Sequence, residues 1–354
     1  MKKTPNYSRI RRPFLIKPFQ RPSGLYNFRK IFKPHWFQGN REDKNYFEGW
    51  YFKNVSADEQ NCWAFIPGIS LNENDSHAFV QAINGNTGET FYFSFPADEF
   101  AFSDDKFEVW VGKNYFSSEK IYIDLDDGTH RFQAEIFFDE ITEFPVSFSR
   151  PGIMGWYRFI PFMECYHGVV SLDHGLSGYI RHNDQYMDFS GGRGYIEKDW
   201  GSSMPEAWIW IQTNHFEKPG TSFMLSVARI PWIGSTFTGF LGFFLHENKL
   251  INFATYTGAE ITDLTHTERE AYITIKGSKY EIHVHGVKAE HHAERSNKGG
   301  LKAPVLGNMD RVIHENLDAE IHIRITDLNG KEVFKGTGRH AGLEFVGDLE
   351  LLKL

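Results

Sequence analysis

Residues 191–216 read GGRGYIEKDWGSSMPEAWIWIQTNHF, and they decide the fold. Glu197 and Asp199 alternate with Lys198 and Trp200, so an extended chain places both carboxylates on one face. Gly201, Ser202, Ser203 and Pro205 signal a turn, after which Trp208, Trp210 and Gln212 alternate with isoleucines in the same period of two. Two strands therefore set acids beside a wall of large rings. A carboxyl group held in poor solvent stays protonated closer to neutral pH, where it can act as an acid.

The same signals recur outward from this stretch. Tyr46–Val55, Cys62–Leu71, His77–Ile83, Lys120–Leu125 and Arg131–Phe138 read as strands separated by turn sequences such as Asn84-Gly85-Asn86 and Asp126-Asp127-Gly128. Glu164–Leu172, Gly175–Arg181, Ala207–Asn214, Ser222–Arg229, Ala319–Thr326, Glu332–Gly338 and Glu344–Val346 continue the pattern. No long amphipathic helix is present. The chain has 33 Phe, 15 Tyr, 9 Trp and 32 Gly, a mixture that suits pleated surfaces and tight turns. An all-β protein of two packed antiparallel barrels is expected, residues 45–185 forming one and 186–354 the other, with the polar segment 287–316 lying over a barrel mouth.

Charge divides unevenly. Eleven Lys and Arg precede the first acid, Glu42, and all 46 acidic residues follow. Residues 1–44 form a basic arm that either folds back on the acidic body or touches an anionic membrane surface peripherally. Nucleic acid is not an expected partner, because the body repels phosphate. Arg11-Arg12 lacks a following apolar segment, so no export signal is read and a cytoplasmic location is expected. Cys62 and Cys165 lie far apart and encode neither a disulfide framework nor a thiolate metal site. The oligomeric state is not legible.

Four further clusters bear chemistry. Glu48, Trp50 and Phe52 share a strand face, either as part of an acid site or as a capped strand whose glutamate hydrogen-bonds backbone. Around Cys165, Glu164 and Tyr166 share one face and Cys165 and His167 the other, an arrangement that does not bring a nucleophile and base together. His283-x-His285, with His291 and His292, has metal-like spacing but no fixed third ligand. Asp310-Arg311, Arg339 and Glu344 either close a barrel end or line a polar cavity floor.

Tyr195-Ile196-Glu197-Lys198-Asp199-Trp200-Gly201, then Pro205 and Trp208-Ile209-Trp210-Ile211-Gln212-Thr213-Asn214, resembles the signature of the tocopherol cyclase family. Phe47–Lys53 and Ala341–Glu344 resemble it too, so the likeness runs from about residue 35 to the end. Asp199 stands where the plant enzymes have Asn, and Thr213 where they have Cys. The resemblance implies lipocalin-like barrels and an enzyme that protonates a prenyl double bond while a phenol oxygen closes a ring. It implies no metal or redox cofactor. The hydrophobic small-molecule ligand would be a prenylated quinol or related isoprenoid, with Glu197 or Asp199 as proton donor and Glu48 and Glu164 as further candidates. Trp50, Trp200, Trp208 and Trp210 would form the wall, and Gln212, Asn214 and His215 would hold the quinol oxygens. The alternatives are a lipid carrier that does no chemistry and, if the tryptophans are exposed, a sugar-binding surface.

Overall fold

The structure is a computed structural model describing residues 24–40, 43–289 and 299–353. Its strands are β1 (Tyr46–Val55), β2 (Cys62–Leu71), β3 (His77–Asn84), β4 (Thr90–Pro96), β5 (Phe100–Phe102), β6 (Glu108–Val111), β7 (Asn114–Ser117), β8 (Lys120–Asp126), β9 (Arg131–Glu143), β10 (Cys165–His182), β11 (Gln185–Asp188) and β12 (Arg193–Gly201). They continue as β13 (Trp208–Thr213), β14 (Ser222–Trp232), β15 (Ser235–His246), β16 (Lys249–Ala254), β17 (Glu260–His266), β18 (Glu270–Lys276), β19 (Tyr280–Val287), β20 (Leu301–Val305), β21 (Asn308–Ile313), β22 (Asn316–Asp327) and β23 (Glu332–Val346).

The molecule is all-β, with two lipocalin-like antiparallel barrels packed together. The first sheet runs β4-β3-β2-β1-β12-β10-β9-β8-β7-β6-β5, with β11 beside β10; the second runs β16-β15-β14-β13-β23-β22-β19-β18-β17. Each sheet curls so that its two edge strands are successive in the chain, joined by the short turns Ala97–Glu99 and Thr255–Thr257. Curling lets one face of each strand fill its own interior while the other meets the neighbouring sheet. In β1, Trp50 and Phe52 enter the first core and Tyr51 and Val55 the layer between sheets. In β13, Ile209 and Ile211 enter the second core while Trp208 and Trp210 face that layer.

The change of sheet falls between Gly201 and Trp208 rather than at residue 185. β11 and β12 both belong to the first sheet, β12 lying between β1 and β10. Gly201 ends β12 at φ +149°, and a Cβ there would stand 2.2 Å from the Glu164 carbonyl oxygen, so only glycine lets the chain leave past β10. Two further readings are corrected. Glu164–Leu172 and Gly175–Arg181 are one strand, β10, broken in register at Ser171 and His174, and β23 likewise unites two expected segments. Segment 287–316 is not simply a loop, because β20 and β21 pair as a separate hairpin, though residues 290–298, with His291 and His292, lie outside the described residues.

Of the basic arm, residues 1–23 and 41–42 lie outside the described residues. Gly24–Asn40 folds back onto the first barrel: Tyr26, Trp36 and Phe37 join its core. The Gln38 and Gly39 amides donate to the Glu48 carboxylate at 2.8 to 3.1 Å. No helix among the described residues is long and apolar enough to cross a membrane.

Candidate active site between the two sheets

Trp208 and Trp210 face β12 across the layer between the sheets, and the space they leave is a cavity of about 190 Å³. Its walls come from both sheets and the β20–β21 hairpin, with Gly49 and Tyr51 of β1, His167 of β10, Glu197 and Asp199 of β12, Trp208 and Trp210, Glu344 of β23, and Ala303, Ile313 and Glu315. Most of the remaining lining is apolar, including Phe47, Phe79, Met154, Phe240 and Leu241. Neither barrel lumen forms this site.

On one wall the imidazole of His167 lies between two carboxylates. Its Nδ1 is 2.8 Å from Asp199 Oδ1, and its Nε2 is 3.4 Å from Glu197 Oε2. The second contact is an ion pair without hydrogen-bond geometry, so the buried Nε2 keeps a donor unused by the described residues. Burial opposes the charged ring, but Glu197 and Asp199 outweigh it and lift His167 to about 10. Glu197 Oε2 also accepts from the Tyr195 hydroxyl at 2.7 Å and from Trp210 Nε1 at 3.3 Å. This carboxylate is occupied as an acceptor.

The opposite wall holds two carboxyls that the strand pattern alone does not single out as acids. Glu344 accepts from Trp208 Nε1 at 2.6 Å; burial pushes it up to about 7, the Trp208 bond and Lys288 oppose the rise, and Glu197 and Asp199 add to it. Glu315 accepts from the Tyr51 hydroxyl through Oε1, while Oε2 is buried without a hydrogen-bond partner. Burial and then the nearby Glu344 raise Glu315 well above the usual carboxylate range. Register brings these groups together: Trp210 pairs with Glu344 and Trp208 with Val346. Gly342 leaves room for them, since a Cβ there would lie 2.4 Å from the Trp210 ring and 3.2 Å from Glu315 Oε1.

The other expected residues separate into three groups. Glu164 lines the cavity half-buried, raised by burial. Glu48 is fully buried but away from the cavity, where Lys198, the Gln38 and Gly39 amides and the Tyr46 hydroxyl all bind it; the capped-strand reading describes it. Trp50 lies in the first barrel core, with Nε1 donating to the His35 carbonyl at 2.9 Å. Trp200 stacks on Tyr166 at 5.5 Å under the Arg158 guanidinium. Both lie off the cavity because β12 and β1 alternate, which turns Lys198, Trp50 and Trp200 to the far side.

Gln212, Asn214 and His215 lie beyond the cavity along the same layer. Each pair of residues advances a strand by about 7 Å, which carries them past its end. There Lys53 donates to Gln212 at 3.0 Å, and Asn214 donates to Asp173 and to the Gly194 carbonyl at 2.9 Å. His215 contacts Asn214 at 3.1 Å. These residues fasten one sheet to the other.

Ligand atoms of His167, Glu197 and Asp199 fall within 4.8 Å of one another, so these are the residues that would hold a cation. As arranged, the two ring nitrogens serve different carboxylates, which is a geometry for sharing protons rather than for converging on one ion. His283 and His285 instead pair with Glu281 at 3.0 Å and Glu270 at 3.3 Å on the partly exposed outer face of the second sheet. Trp208 and Trp210 are buried, which removes the sugar-stacking reading.

Residues 141–347, which carry every charged group of this cavity, match the tocopherol cyclase-like family. The chain belongs to that family. Among tocopherol cyclase-like relatives, the probable chloroplastic tocopherol cyclase of Oryza sativa subsp. japonica is 30% identical over 115 residues, 31% of this chain and 24% of that protein. The chloroplastic tocopherol cyclase of Zea mays is 32% identical over 117 residues, again 31% of this chain and 24% of that protein. The aligned region thus spans about a quarter of these relatives' length. The crystal structure of CghA with Sch210972 shares the fold at TM-score 0.51 and 8% identity, covering 86% of this chain and 89% of that one. Kievitone hydratase from Nectria haematococca aligns over 86% of this chain and 88% of that one at TM-score 0.46 and 10% identity.

The His167 arrangement has a measurable consequence for stability. A folded-state value raised above the unfolded one, about 6.5, stabilises the protein fully below the unfolded value and fades as pH rises towards about 10. Urea unfolding of wild type and His167→Gln should show a stability difference that is largest near pH 6 and shrinks towards pH 10. A difference constant across that window would contradict the ion-paired imidazolium.

Proposed function

We propose that the protein is an acid-catalysed cyclase or isomerase of a prenylated quinol or related isoprenoid. The observation that carries this reading is the pairing, across one apolar cavity, of two protonatable carboxyls, Glu344 and Glu315, with a His167 imidazolium held by Asp199 and Glu197. Alkene protonation needs an acid whose proton is present near the working pH and not already committed to a stronger acceptor. Glu344, near 7, meets that condition better than Glu197.

In this scheme the Glu344 carboxyl gives its proton to the less substituted alkene carbon, the π electrons form the new C–H bond, and the tertiary carbon is left cationic. The phenol oxygen then closes a C–O bond to that carbon. Its proton passes to Asp199, the more exposed carboxylate of the pair. His167 Nε2 is placed to donate to the second quinol oxygen, the one outside the new bond, and so to fix the ring's position. The faces of Trp208, Trp210 and Tyr51 shield the cation from water. Atoms balance without an external reagent, as an isomerisation requires. Asp199 then returns that proton to Glu344, whose burial disfavours the carboxylate, and the acid is restored.

The cavity encloses a ring system better than a long tail, since drug-sized ligands fill roughly 300 Å³ or more. The tail would leave past Tyr157, Ile230 and Phe237, lining residues that are partly exposed. Incubation with a panel of prenyl hydroquinones tests the reading: a ring-closed product is expected. Stoichiometric binding with every compound returned unchanged would leave a carrier instead.

A further inference from the structure

We infer that the face around the cavity mouth docks on a bilayer surface carrying anionic headgroups. The chain exposes rings here that its cores do not need. Phe148 is 82% exposed and Phe28 62%, and both meet Phe32, at 5.7 and 6.0 Å between ring centroids. Phe32 in turn contacts Phe159 at 6.4 Å, in the same short helical turn as the exposed Trp156. Trp156 and Phe162 both contact Trp232, at 6.4 and 5.5 Å. An exposed aromatic surface of this extent marks an interaction site in a soluble domain.

The β14–β15 turn adds an independent observation. Trp232 pairs with Ser235, so Ile233 and Gly234 form a two-residue hairpin turn with φ of +39° and +74°. Such turns favour Asn or Asp at the first position. A β-branched residue is strained there, yet Ile233 is 79% exposed and packs in no core. Folding gains nothing from it. A side chain that enters lipid from the tip of a hairpin would.

Two features select a membrane over a second protein. First, the patch is continuous with the cavity: Tyr157 and Phe237 line the cavity and contact Trp232 at 5.9 Å each. A ligand with a prenyl tail could then pass between lipid and site without crossing water. Second, the charge is of the right sign. Arg29 and Lys33 are exposed on the segment bearing Phe28 and Phe32, and the sequence before Gly24 holds seven Lys and Arg with no acid, on a chain of net charge −8. Basic groups near an anionic surface each add attraction that salt weakens, and tryptophan suits the headgroup layer.

The cavity reading supplies the purpose of this face, but vesicle binding involves no turnover, so either can fail alone. Full-length protein is floated with vesicles of phosphatidylcholine and of phosphatidylcholine with phosphatidylglycerol, at low and high salt. Wild type should float with the anionic vesicles and lose binding in high salt. Ile233→Asn, which suits the turn and should not harm folding, combined with Phe148→Ser, should lower the partition by roughly tenfold or more, since two large apolar side chains no longer enter lipid. Absence of wild-type flotation, or unchanged flotation of the double variant, would overturn the proposal. So would a concentration-dependent dimer dissolved by the same substitutions in a protein that ignores vesicles.

Discussion

Glu344→Gln is expected to slow ring closure of a prenyl hydroquinone by about 100-fold or more, the usual contribution of a positioned general acid. The amide keeps an acceptor for Trp208 Nε1, so the wall should persist while the transferable proton is lost. Wild-type kcat/KM should fall as pH rises through about 7, because Glu344 acts only while protonated. Burial sets this limb, with Glu197 and Asp199 also favouring the protonated form and the Trp208 hydrogen bond and Lys288 opposing it. Glu315 is itself raised well above the usual carboxylate range and carries no charge through this window, so Glu315→Gln should leave the limb near 7, with a smaller loss of rate. Full activity of Glu344→Gln would assign the proton to another group.

The second large effect is on stability. Glu48→Ala should destabilise the fold by about 3–5 kcal/mol, because it leaves the buried Lys198 ammonium without its carboxylate. It also removes the acceptor for the Gln38 and Gly39 amides, loosening the segment that closes the first barrel. Lys198 rests over the Trp50 and Trp200 rings at 4.4 and 4.8 Å, contacts that do not replace a formal charge partner. A Glu48→Gln, Lys198→Met double variant should recover much of the loss, since the pair is then removed as a unit. Urea unfolding measures both. Unchanged stability in Glu48→Ala, with ring closure abolished, would return Glu48 to the list of catalytic acids.

A period-two pattern marks where a strand runs and which residues share its face. β1 and β2 occupy the residues expected of them, because unbroken runs bounded by turn residues fix both ends. β10 and β23 each read as two segments in the sequence, since bulges and glycines imitate turns. The faces of β12 and β13 were also legible: Glu197, Asp199, Trp208 and Trp210 share the cavity. Alternation gives a face but not a position along it, which is why Gln212 and Asn214 fall beyond the cavity's end. It also does not say which side of β1 and β12 looks inward, and Trp50, Glu48 and Trp200 look away. Glu315 and Glu344 come to the site by pairings far apart in the chain and by a hairpin hidden in a polar segment. Their chemistry comes from burial, which no local pattern encodes. His167 was visible on the face opposite Glu164, but its two carboxylate partners belong to a neighbouring strand.

The most direct test is ring closure carried out in D2O with purified protein and a prenyl hydroquinone. Acid catalysis predicts a cyclised product with one carbon-bound deuterium, at the carbon next to the new C–O centre, since that hydrogen comes from an exchangeable carboxyl. Recovery of the quinol unchanged, or a cyclised product with no deuterium on carbon, would contradict it.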